Sequence, residues 1–194
     1  MKNLIRFLPL IFVVGLLSTI QIIPPGWQSE AFQAQSEPPV LAPFEPTPME
    51  VVIPMLILAD IRAGDVLYDL GSGDGRIVIA AAKRYGIRGV GVEIDPELVR
   101  ESREKARKER VEHLVEFRLQ DALTVDLSAA TIVTLYLYPD ANLLLRPILR
   151  KQLRAGARVV SHDFDMGDWK PDKSEKLKDN QGENHTIYLW RIKK

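Results

Sequence analysis

The sequence predicts an α/β domain organised around a doubly wound, mostly parallel sheet with an antiparallel C-terminal strand. Three observations carry this. The apolar run Val66 to Leu70 passes directly into Asp69-Leu70-Gly71-Ser72-Gly73-Asp74-Gly75, and a helical pattern, Ile77 to Tyr85, follows. A strand, a glycine turn and a helix in that order bring the backbone close to a small ligand. Strand runs and helical patterns then alternate along the chain, as parallel strands joined by crossover helices require. Two last runs, Glu175 to Lys178 and Thr186 to Ile192, flank Asp179-Asn180-Gln181-Gly182 and read as a closing hairpin, so one strand runs against the rest.

The elements follow in order. Thr47-Pro48-Met49-Glu50 has the form of a helix start, with Thr47 as the cap, Pro48 at the first helical position and Glu50 reaching back as a capping box. Pro54 interrupts that helix and predicts a kink or restart. The helix after the glycine loop stops at Gly86, and Gly89 to Val92 forms a second strand ending at Glu93. Asp95-Pro96 caps a helix running to about Arg110. Its pairs Glu101 with Lys105 and Glu104 with Lys108 stand at i,i+4, the pattern of a solvated face. Val115 to Leu119 is the third strand and Thr131 to Tyr136 the fourth. Asp140 caps the helix Ala141 to Arg154, bent at Pro147, and Arg158 to Ser161 is the fifth strand. The sum is a Rossmann-like core.

The glycine loop does not suit a dinucleotide. Counting from Gly71, the third glycine of G-x-G-x-x-G would fall at Arg76. Carboxylates at Asp69 and Asp74 would repel a pyrophosphate by about 4 kcal/mol at about 4 Å and an effective dielectric near 20. A cationic ligand reverses that sign. Glu93 ends the next strand, twenty residues after Gly73, where a ribose-binding acid belongs, and its two oxygens can accept both ribose hydroxyls.

The D-x-G-x-G-x-G loop resembles the first motif of class I S-adenosylmethionine-dependent methyltransferases. The resemblance covers Thr47 to Lys194 and implies that fold and that cofactor. It implies that Asp69, Gly71, Ser72, Gly73 and Gly75 bind the methionine end, with Asp69 meeting its ammonium group. It also implies that Asp121, in Leu119-Gln120-Asp121-Ala122, accepts from the adenine amino group.

Composition narrows the partners. Twenty-six basic and twenty-six acidic residues give zero formal charge, so no global field favours nucleic acid and an RNA substrate is not expected. The absence of cysteine removes thiol nucleophiles and thiolate metal sites. His113, His162 and His185 are scattered without metal-ligand spacing, and no metal is expected. Residues 1–27 read as a signal or membrane anchor: Phe7 to Ile23 is mostly apolar behind Lys2 and Arg6, with a length between a signal-peptide core and a spanning helix. An uncleaved single helix that anchors the domain to a membrane is the favoured expectation, with its side left open and secretion after cleavage as the alternative. Residues 28–47 are a proline-rich linker, and 48–194 the methyltransferase domain.

Substrate should meet the loops after strands one, four and five. Strand four exits into Tyr136-Leu137-Tyr138-Pro139, and strand five into Ser161-His162-Asp163-Phe164, followed by Trp169-Lys170-Pro171. Together with the apolar N-terminal segment and Asp69 to Arg76, these are similar to a group of small membrane-anchored protein-lysine methyltransferases, related to mitochondrial enzymes that modify integral membrane proteins. His162 departs from the glycine expected after Ser161. The resemblance implies a lysine acceptor on a membrane-associated protein. A small-molecule or lipid acceptor, or a non-catalytic cofactor-binding module, is the alternative. Holding a lysine neutral at pH 7 costs about 4.6 kcal/mol. Tyr138 and Trp169, with Tyr136 and Phe164, are candidates to desolvate the amine and lower its pKa, and His162 to accept a proton through water.

Overall fold

The computed structural model of the chain describes residues 43–194. The expected anchor, 1–27, and most of the linker lie outside the described residues. Among the described residues no helix is long and apolar enough to cross a membrane.

A seven-stranded sheet runs through the molecule in the order β3-β2-β1-β4-β5-β7-β6. Its strands are β1 (Val66–Leu70), β2 (Arg88–Glu93), β3 (Val115–Leu119), β4 (Ile132–Leu135), β5 (Arg158–His162), β6 (Lys173–Lys178) and β7 (Asn184–Arg191). β1 to β5 pair in parallel, and β7 inserts antiparallel between β5 and β6. The expected antiparallel strand is therefore β7, one place in from the edge.

Successive residues of the strands point to opposite faces and build two cores. Leu67, Ile132, Val160 and Leu189 join the apolar faces of α1 (Met49–Leu58), α2 (Arg76–Tyr85) and α3 (Pro96–Lys108). Their neighbours Tyr68, Val133, Val159 and Trp190 pack with α4 (Pro139–Gln152) and the segment from Ala122 to Ala130. Such two-sided burial explains why the central strands read as continuous apolar runs. Arg158, at the start of β5, is buried and ties the layers together. It donates through Nε to the Ala59 carbonyl at 3.0 Å and bridges Asp65 at 2.5 Å.

Several local expectations change. α1 begins after Pro48, and no side chain caps it. The Thr47 hydroxyl instead meets His162 Nδ1 at 3.3 Å, and Glu50 accepts from Asn180 of the hairpin turn. α1 runs through Pro54 without a restart, and α4 runs through Pro147. In α4 the capping position belongs to Tyr138, with Pro139 at the first helical position and Asp140 in the first turn rather than at the cap. Asp95 does cap α3, accepting from Glu97 N at 2.8 Å. Lys105 pairs with Glu101 as expected, whereas Glu104 pairs with Arg100 instead of Lys108. Part of the supposed linker belongs to the domain. Thr47 is buried, and the ring of Phe44 lies against Gly73.

Candidate functional site

Five parallel strands end on one edge of the sheet, and the order reverses between β1 and β4, the position at which doubly wound sheets take ligands. The β1, β2 and β3 ends carry carboxylates. The β4 and β5 ends carry aromatic rings.

On the first half, Gly71, Gly73 and Gly75 all have positive φ (+73°, +52° and +79°), where a side chain would be strained. A Cβ on Gly71 would stand 2.7 Å from Leu137 Cδ2, so the glycine loop and the β4 exit close on each other only without one. Glu93 holds the loop in place: its carboxylate accepts Gly73 N at 2.8 Å, Ile94 N at 2.7 Å and Asp95 N at 3.0 Å. Asp121 lies at the β3 end, half-buried, with Oδ1 accepting Leu123 N at 2.8 Å.

Asp69 is buried, and among the described residues its hydrogen-bond partner is the Thr134 hydroxyl at 2.7 Å. Burial pushes its carboxyl up to about 7, the Thr134 bond opposes the shift, and the nearby carboxylates of Glu93 and Asp74 add to it. Such a group lacks a cation. Asp74 does not: burial works against its ionisation, but hydrogen bonds from Arg76 and Lys105 prevail and hold it at about 2. The expectation that Asp74 faces the ligand is corrected, since its charge is satisfied within the protein. Ser72 Oγ is buried and has no hydrogen-bond partner among the described residues. It lies over Gly91, where an added Cβ would stand 2.7 Å from it, so the expected cofactor contact of Ser72 is not made by its hydroxyl. An under-compensated acid and a loop of glycines fit a cofactor that is cationic at one end and rich in polar groups.

On the second half, Tyr136, Tyr138 and Phe164 form one wall. Tyr136 stacks with Phe164 at 6.3 Å between centroids, and Tyr138 meets Phe164 edge-on at 5.8 Å. Tyr138 is 45% exposed, so the wall opens to substrate. Burial first, then the carboxylates of Glu45 and Asp163, pushes the Tyr136 hydroxyl up to about 12. The phenol stays neutral near pH 7 in surroundings that favour cations.

Phe164 is positioned by Asn142, a buried α4 residue whose Nδ2 donates to the Phe164 carbonyl at 3.1 Å, the Asp165 carbonyl at 3.3 Å and Ser161 Oγ at 3.3 Å. Neither Asn142 nor the acids Glu45 and Asp163 stood out in the sequence. The pairing of Ser161 with a buried Asn on the preceding helix is a signal only once the loops are placed.

Two expected catalytic residues are corrected. Trp169 is not at the wall. It packs against Trp190 at 5.7 Å and under Arg150, and its carbonyl accepts the Trp190 indole N–H at 2.7 Å. Arg150 lies in the last turn of α4 and Tyr138 caps its first, so about 18 Å of helix separates them. His162 is fully buried behind Tyr136, its ring 3.9 Å from that of Tyr136. One ring nitrogen is engaged by Thr47 and the other by His185 at 2.9 Å, and burial above all pushes the imidazole down to about 4, against the opposing charge of Asp163. Both nitrogens are occupied, and neither is open to an acceptor's proton.

Residues 69–173 match the family model described as the ANTKMT methyltransferase domain. A protein-lysine N-methyltransferase of Saccharolobus islandicus (strain REY15A) is 42% identical over 151 residues, which are 77% of this chain and 93% of that protein. A Homo sapiens lysine N-methyltransferase named for an ATP synthase subunit is 38% identical over 133 residues, 69% of this chain and 56% of that one, so the chain spans little more than half of it. Among solved structures, a protein of Salinibacter ruber described as an RNA methyltransferase, in complex with S-adenosyl-L-homocysteine, is 57% identical with a TM-score of 0.71, covering 76% of this chain and 94% of that one.

Proposed function

Because the chain belongs to the ANTKMT methyltransferase-domain family, we propose that it methylates the side-chain amine of a lysine in a protein partner, at the aromatic wall beyond β4 and β5. It is an S-adenosylmethionine-dependent methyltransferase of the class I fold. One observation supports this acceptor: the cofactor half of the edge ends in acids, while the other half ends in Tyr136, Tyr138 and Phe164 near the Glu45 carboxylate.

The residues divide the work. Asp69 holds the cation at the methionine end, and Glu93 has lone-pair capacity left to accept from ribose while it holds Gly73. Asp121 stands at the next strand end for the adenine. When bound, S-adenosylmethionine supplies an activated methyl group. Glu45 attracts the protonated amine to the wall, and the rings hold the cation on their faces. Moving the amine among the rings desolvates it, which favours the neutral nucleophile. Alignment of that amine is the main catalytic contribution left to the protein, worth up to about 7 to 11 kcal/mol in favourable cases.

A membrane-associated partner is the finer form of this function. It draws on the apolar run Phe7 to Ile23, which would keep the domain near a bilayer. A second possibility, an RNA acceptor, is favoured by the description of the Salinibacter ruber relative. Zero formal charge and the Glu45 carboxylate near the acceptor wall argue against it.

The test is to incubate the full chain and methyl-labelled S-adenosylmethionine with a total membrane fraction and, separately, with total RNA. Label that protease removes, and that mass spectrometry places on lysine, is the expected result. Label released only by ribonuclease, or extracted with lipid or small solutes, overturns the lysine acceptor.

A further inference from the structure

His185 is separated from His162 and Asp163 by more than twenty residues, yet the pairing of β5 with β7 brings the three together. His162 ends β5, Asp163 follows it, and His185 lies on β7, where His162 registers with Ile187. His162 Nε2 stands 2.9 Å from His185 Nδ1 and 3.2 Å from Asp163 Oδ2, and His185 Nδ1 stands 3.2 Å from the same Oδ2. Three donor atoms of three residues therefore face one point. We propose that this cluster is a binding site for a divalent transition-metal ion of the zinc class, held by His162 Nε2, His185 Nδ1 and Asp163 Oδ2.

The geometry admits the ion with little movement. Atoms 2.9 to 3.2 Å apart leave a position just off their plane that is about 2.1 Å from each, the usual zinc distance to imidazole nitrogen and carboxylate oxygen. Tetrahedral coordination spreads such atoms by only a few tenths of an ångström. Two imidazoles and one carboxylate suit zinc and its neighbours and do not suit magnesium or calcium, which take all-oxygen shells.

The far atoms of two of the three ligands are also engaged, which helps to aim them beforehand. Thr47 Oγ1 meets His162 Nδ1 at 3.3 Å and Asp163 Oδ1 accepts Thr186 N at 2.7 Å, while His185 Nε2 has no hydrogen-bond partner among the described residues and lies 3.6 Å from the Asp179 carboxylate. Asp179 is itself fixed by Gln181 N and Glu183 N at 2.9 and 2.8 Å. The arrangement is a carboxylate behind a histidine facing a shared point. Burial is graded for access: His162 is inaccessible, while Asp163 keeps 26% of its side chain exposed. The site lies behind Tyr136, whose ring covers His162.

The metal site is independent of the acceptor's identity, and the two are tested separately. The full, untagged chain is titrated with Co2+, whose visible absorption bands report tetrahedral coordination, and then with Zn2+ in competition by calorimetry. The expected result is one equivalent of tightly bound ion, with Zn2+ displacing Co2+. His185→Gln and Asp163→Asn should each weaken binding by more than about tenfold, and His113→Gln, at an exposed histidine outside the cluster, should leave it unchanged. Circular dichroism checks that each variant is folded. Asp163→Asn preserves shape, so it carries the test if His185→Gln does not fold. Absence of Co2+ bands at stoichiometric protein, or bands that survive both substitutions, would show a hydrogen-bonded histidine pair and no metal site.

Discussion

The Glu93 carboxylate accepts the backbone N–H of Gly73 at 2.8 Å, so the acid at the end of β2 fixes the loop at the end of β1. The same side chain accepts from Ile94 and Asp95 at the approach to α3. It is therefore both a structural clamp and the acid offered to ribose. Glu93→Ala should weaken S-adenosylmethionine binding by about 1 to 3 kcal/mol and also lower the melting temperature of the free protein, because buried N–H groups lose a charged acceptor. Calorimetry and thermal denaturation measure the two effects. Weaker stability with unchanged affinity would reduce Glu93 to the clamp alone.

Asp69 links cofactor binding to pH. With a folded value near 7 against an ordinary 3.8, the free protein keeps Asp69 protonated in a range where the unfolded chain has ionised it. Below about pH 4 the group is neutral in both states and contributes nothing. As pH rises from 4 to 7 the fold loses stability, on the order of 4 kcal/mol in total, and above 7 the loss is constant. A cationic ligand needs the ionised form, so affinity should fall about tenfold for each unit of pH below 7. Asp69→Asn should raise the melting temperature of the free protein at pH 8 more than at pH 4, and should remove the pH dependence of binding. Affinity that stays flat from pH 5 to 8 in the unsubstituted protein would show that Asp69 does not meet the cation.

Asn142 acts on the acceptor side through the loop after β5. Its amide donates to two carbonyls and the Ser161 hydroxyl, and Ser161 Oγ in turn donates to the Phe164 carbonyl at 2.6 Å. Asn142→Leu should release Phe164 from the wall, lowering kcat or raising KM for the acceptor, while cofactor affinity changes less than about twofold. The orphaned carbonyls should cost about 1 to 3 kcal/mol of stability. Equal loss of cofactor affinity would mean that the loop supports the whole edge.

What the sequence shows of this site is what the backbone alone decides. Glycines at 71, 73 and 75 are demanded by positive φ, and the alternation of apolar runs with helical patterns sets the strand ends, so the acids at 69, 93 and 121 fall on one edge as expected. Side-chain partnerships across long separations are invisible to that reasoning. Thr47 has every local mark of a helix cap, but its hydroxyl is used by His162, 115 residues away. Histidines without local spacing become neighbours through an antiparallel pairing that a parallel-strand reading does not emphasise. Trp169 follows the β5 exit closely in sequence, yet the chain turns at the Met166 to Trp169 bridge and carries the ring to the far end of α4.

Tyr138 and Trp169 should consequently separate in experiment. Tyr138 caps α4, is half exposed and meets Phe164 edge-on, so Tyr138→Ala removes part of the acceptor wall with little effect on the core. Turnover should fall while S-adenosylmethionine affinity stays nearly unchanged. If the wall works by desolvating a lysine, its removal raises the amine's pKa, and the deficit should shrink as the assay pH approaches about 10, where the amine is neutral without help. A deficit independent of pH would mean that Tyr138 only aligns the acceptor. Trp169→Ala should instead cost about 2 kcal/mol of stability through lost packing on Trp190. Its turnover should be close to normal at temperatures where the variant is folded. A kinetic defect in Trp169→Ala as deep as that of Tyr138→Ala, with an unchanged melting temperature, would return Trp169 to the acceptor site and overturn its assignment to the core.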